Sequence, residues 1–362
     1  MMENKVHCDT AAPVAASDRT VQVKHFNSGI AEQWDRFVFG HPRASFFHLI
    51  GWKRVVEKTF GHKPRYFYSE RDGKITGIAP IFDFSNWFVG HCLVSIPLCA
   101  YGGIVAEDSE SEQVLLDHAK QMARSAPVDY LELRHRGGGL LSGFHANELY
   151  VTFNTPLFPD SQANLKRLPK DTRYMIRKAE KAGLRAEYGV EQMKVFYDLF
   201  AQSMKRLGTP VFPIALFKNL VEEFPNHTQM MLVYNGSQAV AGVLSFFFRD
   251  TILPYYAGAA DEATRLAANN FMYWELIKRA GEQGFRNFDF GRSKKGTGAF
   301  AFKSQWNMNI EPLDYQVLLV KRDTVPNFSP VNPKFEMAIR IWQKLPLSVT
   351  KFLGPSLVRL FP

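Results

Sequence analysis

The chain has 362 residues, 46% of them hydrophobic and 22% charged, with 44 Lys+Arg against 35 Asp+Glu for a formal net charge of +9. This length exceeds the roughly 150 residues of a typical domain and favours two, while the balanced composition excludes extensive disorder and collagen-like or fibrous architecture. No apolar run reaches the roughly 18 to 20 residues of a membrane span, and the cysteines Cys8, Cys92 and Cys99 have no Cys-x-x-Cys spacing, which argues against a disulfide framework and a zinc site.

Residues 1–20 are mixed and polar without the apolar stretch of a secretion signal, so they read as a loose leader and leave the cytoplasm as the expected compartment. Val21–Phe26 reads as a strand, Ala31–Phe37 as a helix start and Phe47–Phe60 as a second helix with a basic outward side. Arg65–Ser69 and Ile75–Phe84 alternate as strands around Arg71-Asp72-Gly73-Lys74, the chemistry of a tight hairpin turn. Val94–Pro97 leads into a turn at Tyr101-Gly102-Gly103, then Glu110–Arg124 is helical and Asp129–Leu133 is a strand.

The same grammar returns in the second half. Gln229–Tyr234 and Ala239–Phe248 flank the turn dipeptide Asn235-Gly236, and a helix at Ala267–Glu282 precedes the strand Phe285–Phe290. Phe288-Asp289-Phe290 echoes Leu131-Glu132-Leu133, an acidic residue between two apolar ones. Two copies of one α/β unit account for the length, with chance similarity between generic hairpins as the competing explanation. Between them, Pro156–Pro169 reads as a linker that opens a basic helix. There Lys170, Arg173, Arg177 and Lys181 fall three or four apart, and Gly183 stands where a C-terminal cap belongs. A solvated helix face and a phosphate clamp both fit that stripe.

Absences narrow the chemistry: no Gly-x-x-x-x-Gly-Lys loop, no Gly-x-Gly-x-x-Gly after a strand, no His-Glu-x-x-His and no Gly-x-Ser-x-Gly. The triple glycine Gly137–Gly139 lacks a motif lysine and reads as a flexible loop, and His41, His48, His62 and His135 are scattered. The densest stretch is the strand Phe285–Phe290 followed by the loop Gly291-Arg292-Ser293-Lys294-Lys295-Gly296-Thr297-Gly298 and by Phe300–Trp306. A basic, glycine-rich loop at a strand end lets backbone amides and cations reach an anion.

Leu253-Pro254-Tyr255-Tyr256-Ala257-Gly258, Asn269-Asn270 ahead of Trp274-Glu275, Asp289-Phe290-Gly291-Arg292-Ser293 and Phe302-Lys303-x-x-Trp306 resemble the FemAB-related branch of the GNAT-like acyltransferases. Within it the chain is most similar to the FemAB-like proteins associated with the XrtA/PEP-CTERM exosortase system, over roughly Val21 to Val320. The resemblance implies an α/β (α+β) fold of tandem GNAT-like domains, each a mixed, largely antiparallel sheet flanked by helices. The expected division is a leader at 1–20, a first domain at 21–160, a second at 161–322 that includes the basic linking helix, and a tail at 323–362.

The implied activity is acyl or aminoacyl transfer to an amine of an envelope or exopolysaccharide precursor. Lys303 of the Phe-Lys motif and Asp289 would be the catalytic residues. Trp52, Lys53, Tyr101, Arg173, Arg177, Tyr256, Asn269, Arg292, Phe302 and Trp306 would contact substrates. The implied partners are an acyl donor, aminoacyl-tRNA or another activated acyl group, and a phosphate-bearing acceptor. No sustained heptads mark a coiled-coil arm, which counts against direct tRNA use, and Arg265-Leu266-Ala267-Ala268-Asn269 lacks both glycines of a pyrophosphate loop, so side chains there would obstruct CoA; the donor stays open, and no cofactor or metal is expected. A noncatalytic module that binds an anionic polymer or lipid is the alternative. In the tail, Phe335, Ile339 and Trp342 share a helical face among Lys344, Lys351 and Arg359, which fits peripheral contact at the inner face of the membrane or packing onto the domains.

Overall fold

The computed structural model describes residues 20–325 and 336–361; the expected leader apart from Thr20, with Cys8, and Phe335 of the tail lie outside the described residues. The strands run β1 (Gln22–His25), β2 (Lys63–Arg71), β3 (Lys74–Asn86), β4 (Gly90–Ser95), β5 (Val105–Ala106), β6 (Tyr130–His135), β7 (His145–Asn147), β8 (Tyr150–Pro156), β9 (Arg185–Tyr188), β10 (Thr228–Asn235), β11 (Gln238–Phe248), β12 (Thr251–Ala259), β13 (Asn287–Lys294), β14 (Asn309–Pro312) and β15 (Asp314–Leu319). The helices are α1 (Ala31–Gly40), α2 (Ile50–Phe60), α3 (Ser109–Ser125), α4 (Ser161–Arg167), α5 (Lys170–Lys181), α6 (Met193–Leu207), α7 (Ile214–Glu223), α8 (Ala263–Leu266), α9 (Ala268–Glu282), α10 (Gly298–Ser304), α11 (Glu336–Lys344) and α12 (Leu347–Val358).

Two mixed sheets carry the fold, ordered β1-β2-β3-β4-β6-β15-β7 and β9-β10-β11-β12-β13-β8-β14, with β5 added to β3. The orders are equivalent position by position: an antiparallel hairpin, a crossover helix (α3 or α9), then a parallel strand pair, β4 with β6 and β12 with β13. This is the internal duplication expected from the two hairpins. Asp72 and Gly73, with φ of 51° and 75°, form the left-handed two-residue turn that β2 and β3 require.

The next place in each sheet is filled from the other half of the chain: β15 pairs with β6, and β8 pairs with β13. A division at residue 160 therefore does not coincide with the sheets, because 150–156 lie in the second and 314–319 in the first. Nor is Pro156–Pro169 simply a linker. Asp160 accepts the Gln162 N–H and caps the short helix α4.

Side chains alternate across the strands with period two. Tyr66 and Tyr68 of β2 and Met230, Leu232 and Tyr234 of β10 enter one core shared by both halves, whereas Phe67 faces α3, and Met231 and Val233 face α9. Within the shared core Phe46 of the first half stacks on Phe246 of the second at 4.4 Å. The tail packs back onto α6. Trp342 Nε1 donates to the Thr209 carbonyl at 3.1 Å, Lys351 pairs with Asp198, and Thr350, Gly354 and Val358 bury one side of α12. No helix among the described residues is long and apolar enough to cross a membrane.

Helix α6 lies directly on β12 at Gly258. A Cβ there would stand 2.3 Å from the Phe200 backbone nitrogen and 2.5 Å from the Leu199 carbonyl carbon, and neither backbone atom can rotate away. Gly258→Ala is therefore expected to cost about 1–3 kcal/mol or more in urea unfolding at unchanged m-value. Wild-type stability in this variant would show that α6 is not seated as described.

Candidate active site

Strands β12 and β13 run parallel but pair only at Thr251–Asn287 and Ile252–Phe288. Beyond those positions they part, and each carries an irregularity there. On β12 the register with β11 slips so that Tyr255 stands opposite no residue. On β13, Asp289 faces Asn154 and Arg292 faces Thr152, three steps against two, which makes Phe290-Gly291 a bulge. Gly291 has φ of 67°, a conformation that glycine adopts without strain. The stretch read from sequence as a loop from Gly291 onward is thus a bulged continuation of the strand to Lys294.

Two buried charges hold this bulge. The Asp289 carboxylate has both oxygens filled: Oδ1 accepts from Thr152 Oγ1 (2.7 Å) and Gly291 N–H (2.8 Å), and Oδ2 accepts from the Tyr101 hydroxyl and Arg136 Nη1 (3.0 Å). Arg136 also binds Glu311 of β14 at 2.9 Å and lies 5.0 Å over the Tyr101 ring. Lys303 Nζ donates to the carbonyls of Phe290, Gly291 and Arg292 at 2.6, 3.2 and 3.3 Å, acceptors that the bulge frees from the ladder. Burial draws the Lys303 pKa down to about 8, opposed by the Asp289 charge and furthered by that of Arg292.

The parting strands floor a cleft of about 670 Å³. Tyr255 and Tyr256 come from β12, Phe290, Gly291 and Arg292 from β13, and Lys303 from α10. The first half supplies Leu98, Arg134 and Tyr150, and the tail closes one side with Ile339, Trp342 and Val358. Arg134 is paired with Glu132 at 2.7 Å. Arg292 is stacked over Tyr150 (4.9 Å) and Tyr315 (5.8 Å) and has no carboxylate partner among the described residues. Its Nη1 donates to the Tyr315 hydroxyl at 3.3 Å, and the planar fork of a guanidinium is a chemical match for phosphate or carboxylate. The Tyr256 hydroxyl is buried with no hydrogen-bond partner among the described residues, and burial raises its pKa so that it stays a protonated phenol.

Of the residues expected from sequence, the cleft brings together Tyr256, Arg292 and Lys303. Asp289 and Tyr101 meet behind it as a structural junction. Trp52 lies away from the cleft in the core: fully buried, it donates to the Pro97 carbonyl at 3.2 Å and packs on Phe46 and Phe47. Lys53 pairs with Glu57 and borders a separate depression near His25 and His118. Phe302 and Trp306 pack on Tyr273 beneath α10, and Arg173, Arg177 and Asn269 lie outside the cleft. At the start of α9, Ala267 and Ala268 are buried and no side chain caps the helix. Sequence reasoning missed Arg134, although Leu131-Glu132-Leu133-Arg134 echoes Phe288–Arg292 with the bulge glycine left out.

Residues 166–304 match the family model described as an acetyltransferase (GNAT) domain. The chain superposes on the crystal structure of FemX with a TM-score of 0.64 at 16% identity, covering 88% of this chain and 100% of that one. This is a GNAT-like fold. A tandem GNAT protein from the clavulanic acid biosynthesis pathway matches it with a TM-score of 0.54 at 10% identity, covering 84% of this chain and 100% of that one. The C-terminal domain of a proposed lysylphosphatidylglycerol synthetase from Agrobacterium fabrum gives 0.56 at 16% identity, covering 80% and 92%. No curated protein matches the chain in sequence.

Because Lys303 titrates near 8 in the folded GNAT-like domain and near the ordinary 10.5 when unfolded, the unfolded chain binds more protons between those values. Stability should therefore rise as pH increases from about 8 to about 10.5, and Lys303→Met should remove that increment. Denaturation of both proteins across this range checks it; parallel pH profiles would contradict a buried, depressed lysine.

Proposed function

We propose that the protein is an N-acyltransferase that moves an acyl or aminoacyl group from an activated donor to an amine of a phosphate-bearing envelope or exopolysaccharide precursor, in the cleft between β12 and β13. The observation that carries this reading is Arg292, a cation without a carboxylate partner, standing where two parallel strands part within the segment that matches the GNAT domain. Beyond Ile252 the edge of β12 has no strand partner, and such an edge offers backbone N–H groups to a polarised carbonyl.

The amine attacks the donor carbonyl directly: the C–N bond forms, the bond to the leaving group breaks, and the amine's proton passes to solvent or to the leaving group. Arg292 binds phosphate and orients one substrate. Asp289 and Lys303 act differently from the reacting groups expected of them: both are saturated by protein partners, so they position the bulge that shapes the cleft. The exposed cations of α5, Arg177 and Lys178 among them, are a second phosphate-binding face that suits a long polyanionic donor or acceptor.

Mass spectrometry of amine-bearing nucleotide and lipid precursor pools tests this in cells making wild-type protein or Arg292→Met. An acyl or aminoacyl mass increment should appear with the wild type. Loss of one charge-assisted contact of about 1.5–3 kcal/mol should lower kcat/KM of the variant roughly 10- to 150-fold. Identical pools with and without wild-type protein would favour a noncatalytic module that only binds the anionic precursor.

A further inference from the structure

The cleft mouth lies beside an apolar surface built from segments distant in sequence. At the tip of the β3–β4 hairpin Trp87 is 83% exposed, and on α12 Phe352 is 81% exposed beside the solvent-facing Leu353. Two contacts join these segments: Asn86 Nδ2 donates to the Leu360 carbonyl at 3.1 Å, and Phe88 meets Phe361 with ring centroids 5.1 Å apart. On α11, Met337 and Ile341 are exposed as well. Leu357, Phe88 and Phe361 also line the cleft, so the apolar surface reaches the rim of its opening.

We propose that this surface docks on an anionic lipid bilayer and sets the cleft mouth against the headgroups. The placement rests on the cleft being the working site, as argued above, whereas the docking itself does not depend on chemistry there. Charge decides between a bilayer and a second copy of the chain. From 336 to 361 the cations are Arg340, Lys344, Lys351 and Arg359, and the sole carboxylate is Glu336. Lys344 and Arg359 have no carboxylate partner among the described residues; Lys344 lies one turn from Ile341, and Arg359 lies two turns from Phe352.

Two copies meeting face to face here would bring these cations together, while anionic headgroups neutralise them. Exposed Trp and Phe on convex elements, bordered by Lys and Arg, match the interfacial region of a bilayer, where apolar burial and attraction to anionic lipid add. The tail therefore does both things its sequence allowed. One side of α12 is packed on α6, and the other is free to meet lipid.

The test is vesicle flotation of the full chain with phosphatidylcholine vesicles and with vesicles containing 30% phosphatidylglycerol as an order-of-magnitude choice of anionic content. Wild type should float with the anionic vesicles and release in high salt. The triple variant Trp87→Ser, Phe352→Ser, Leu353→Ser touches neither the cleft nor a buried position and should lose binding at least roughly tenfold with an unchanged melting temperature. The charge variant Lys344→Glu, Arg359→Glu should lose the preference for anionic lipid. No flotation of the wild type, or equal flotation of wild type and triple variant, would overturn the proposal. So would a wild-type dimer that the triple variant converts to monomer, since the surface would then join two copies. Flotation without any transfer activity would leave docking in place and count against the acyltransferase reading alone.

Discussion

The carboxylate of Asp289 is the point on which the structure turns. It is 2% exposed and accepts four hydrogen bonds, three from the first half of the chain (Tyr101, Arg136 and Thr152) and one from the second (Gly291). A buried charge is costly unless every lone pair is satisfied, so Asp289 tolerates burial only where both halves and the bulge are in place together. The two halves, the bulge and the cleft are thereby made conditional on one another.

The rest of the site follows from that constraint. With Gly291 N–H held by Asp289, the neighbouring carbonyls turn away from β8 and are collected by Lys303, so an anion and a cation fix opposite sides of one kink. The kink lets β13 diverge from β12, and the space between them becomes the cleft. The shared aromatic core gives that opening rigid walls. Tyr255, whose hydroxyl donates to the Leu98 carbonyl at 2.7 Å, ties the β12 side of the cleft to the first half.

Local features were legible in the sequence wherever a single period or turn decides them: the two hairpins, the Asp72-Gly73 turn, the basic helix α5 ending at Gly183, and the paired acidic strands around Glu132 and Asp289. The exchange of β8 and β15 was not, because alternation identifies a strand without naming the sheet that receives it. The bulge hid the continuation of β13, since Gly291 among basic residues has the composition of a loop. Site residues were harder still. Trp52 and Trp306 have the composition of ligand-stacking aromatics, and only packing shows that they fill cores. Lys303 lines the cleft and Asp289 lies behind it, each with its polar atoms taken up by protein partners that the sequence does not reveal. Arg292 lines the cleft and has no carboxylate partner among the described residues.

The most direct test of this account is a double-mutant cycle of Tyr101→Phe and Asp289→Asn, read by urea unfolding. Both changes keep side-chain shape and remove one side of the bond across the two halves. If the Asp289 junction holds them together, the combined loss should fall short of the sum of the single losses by at least about 1 kcal/mol, as for partners in one buried network. Single losses that add to within about 0.5 kcal/mol would mean that the two residues act independently, and the junction would not be what joins the halves.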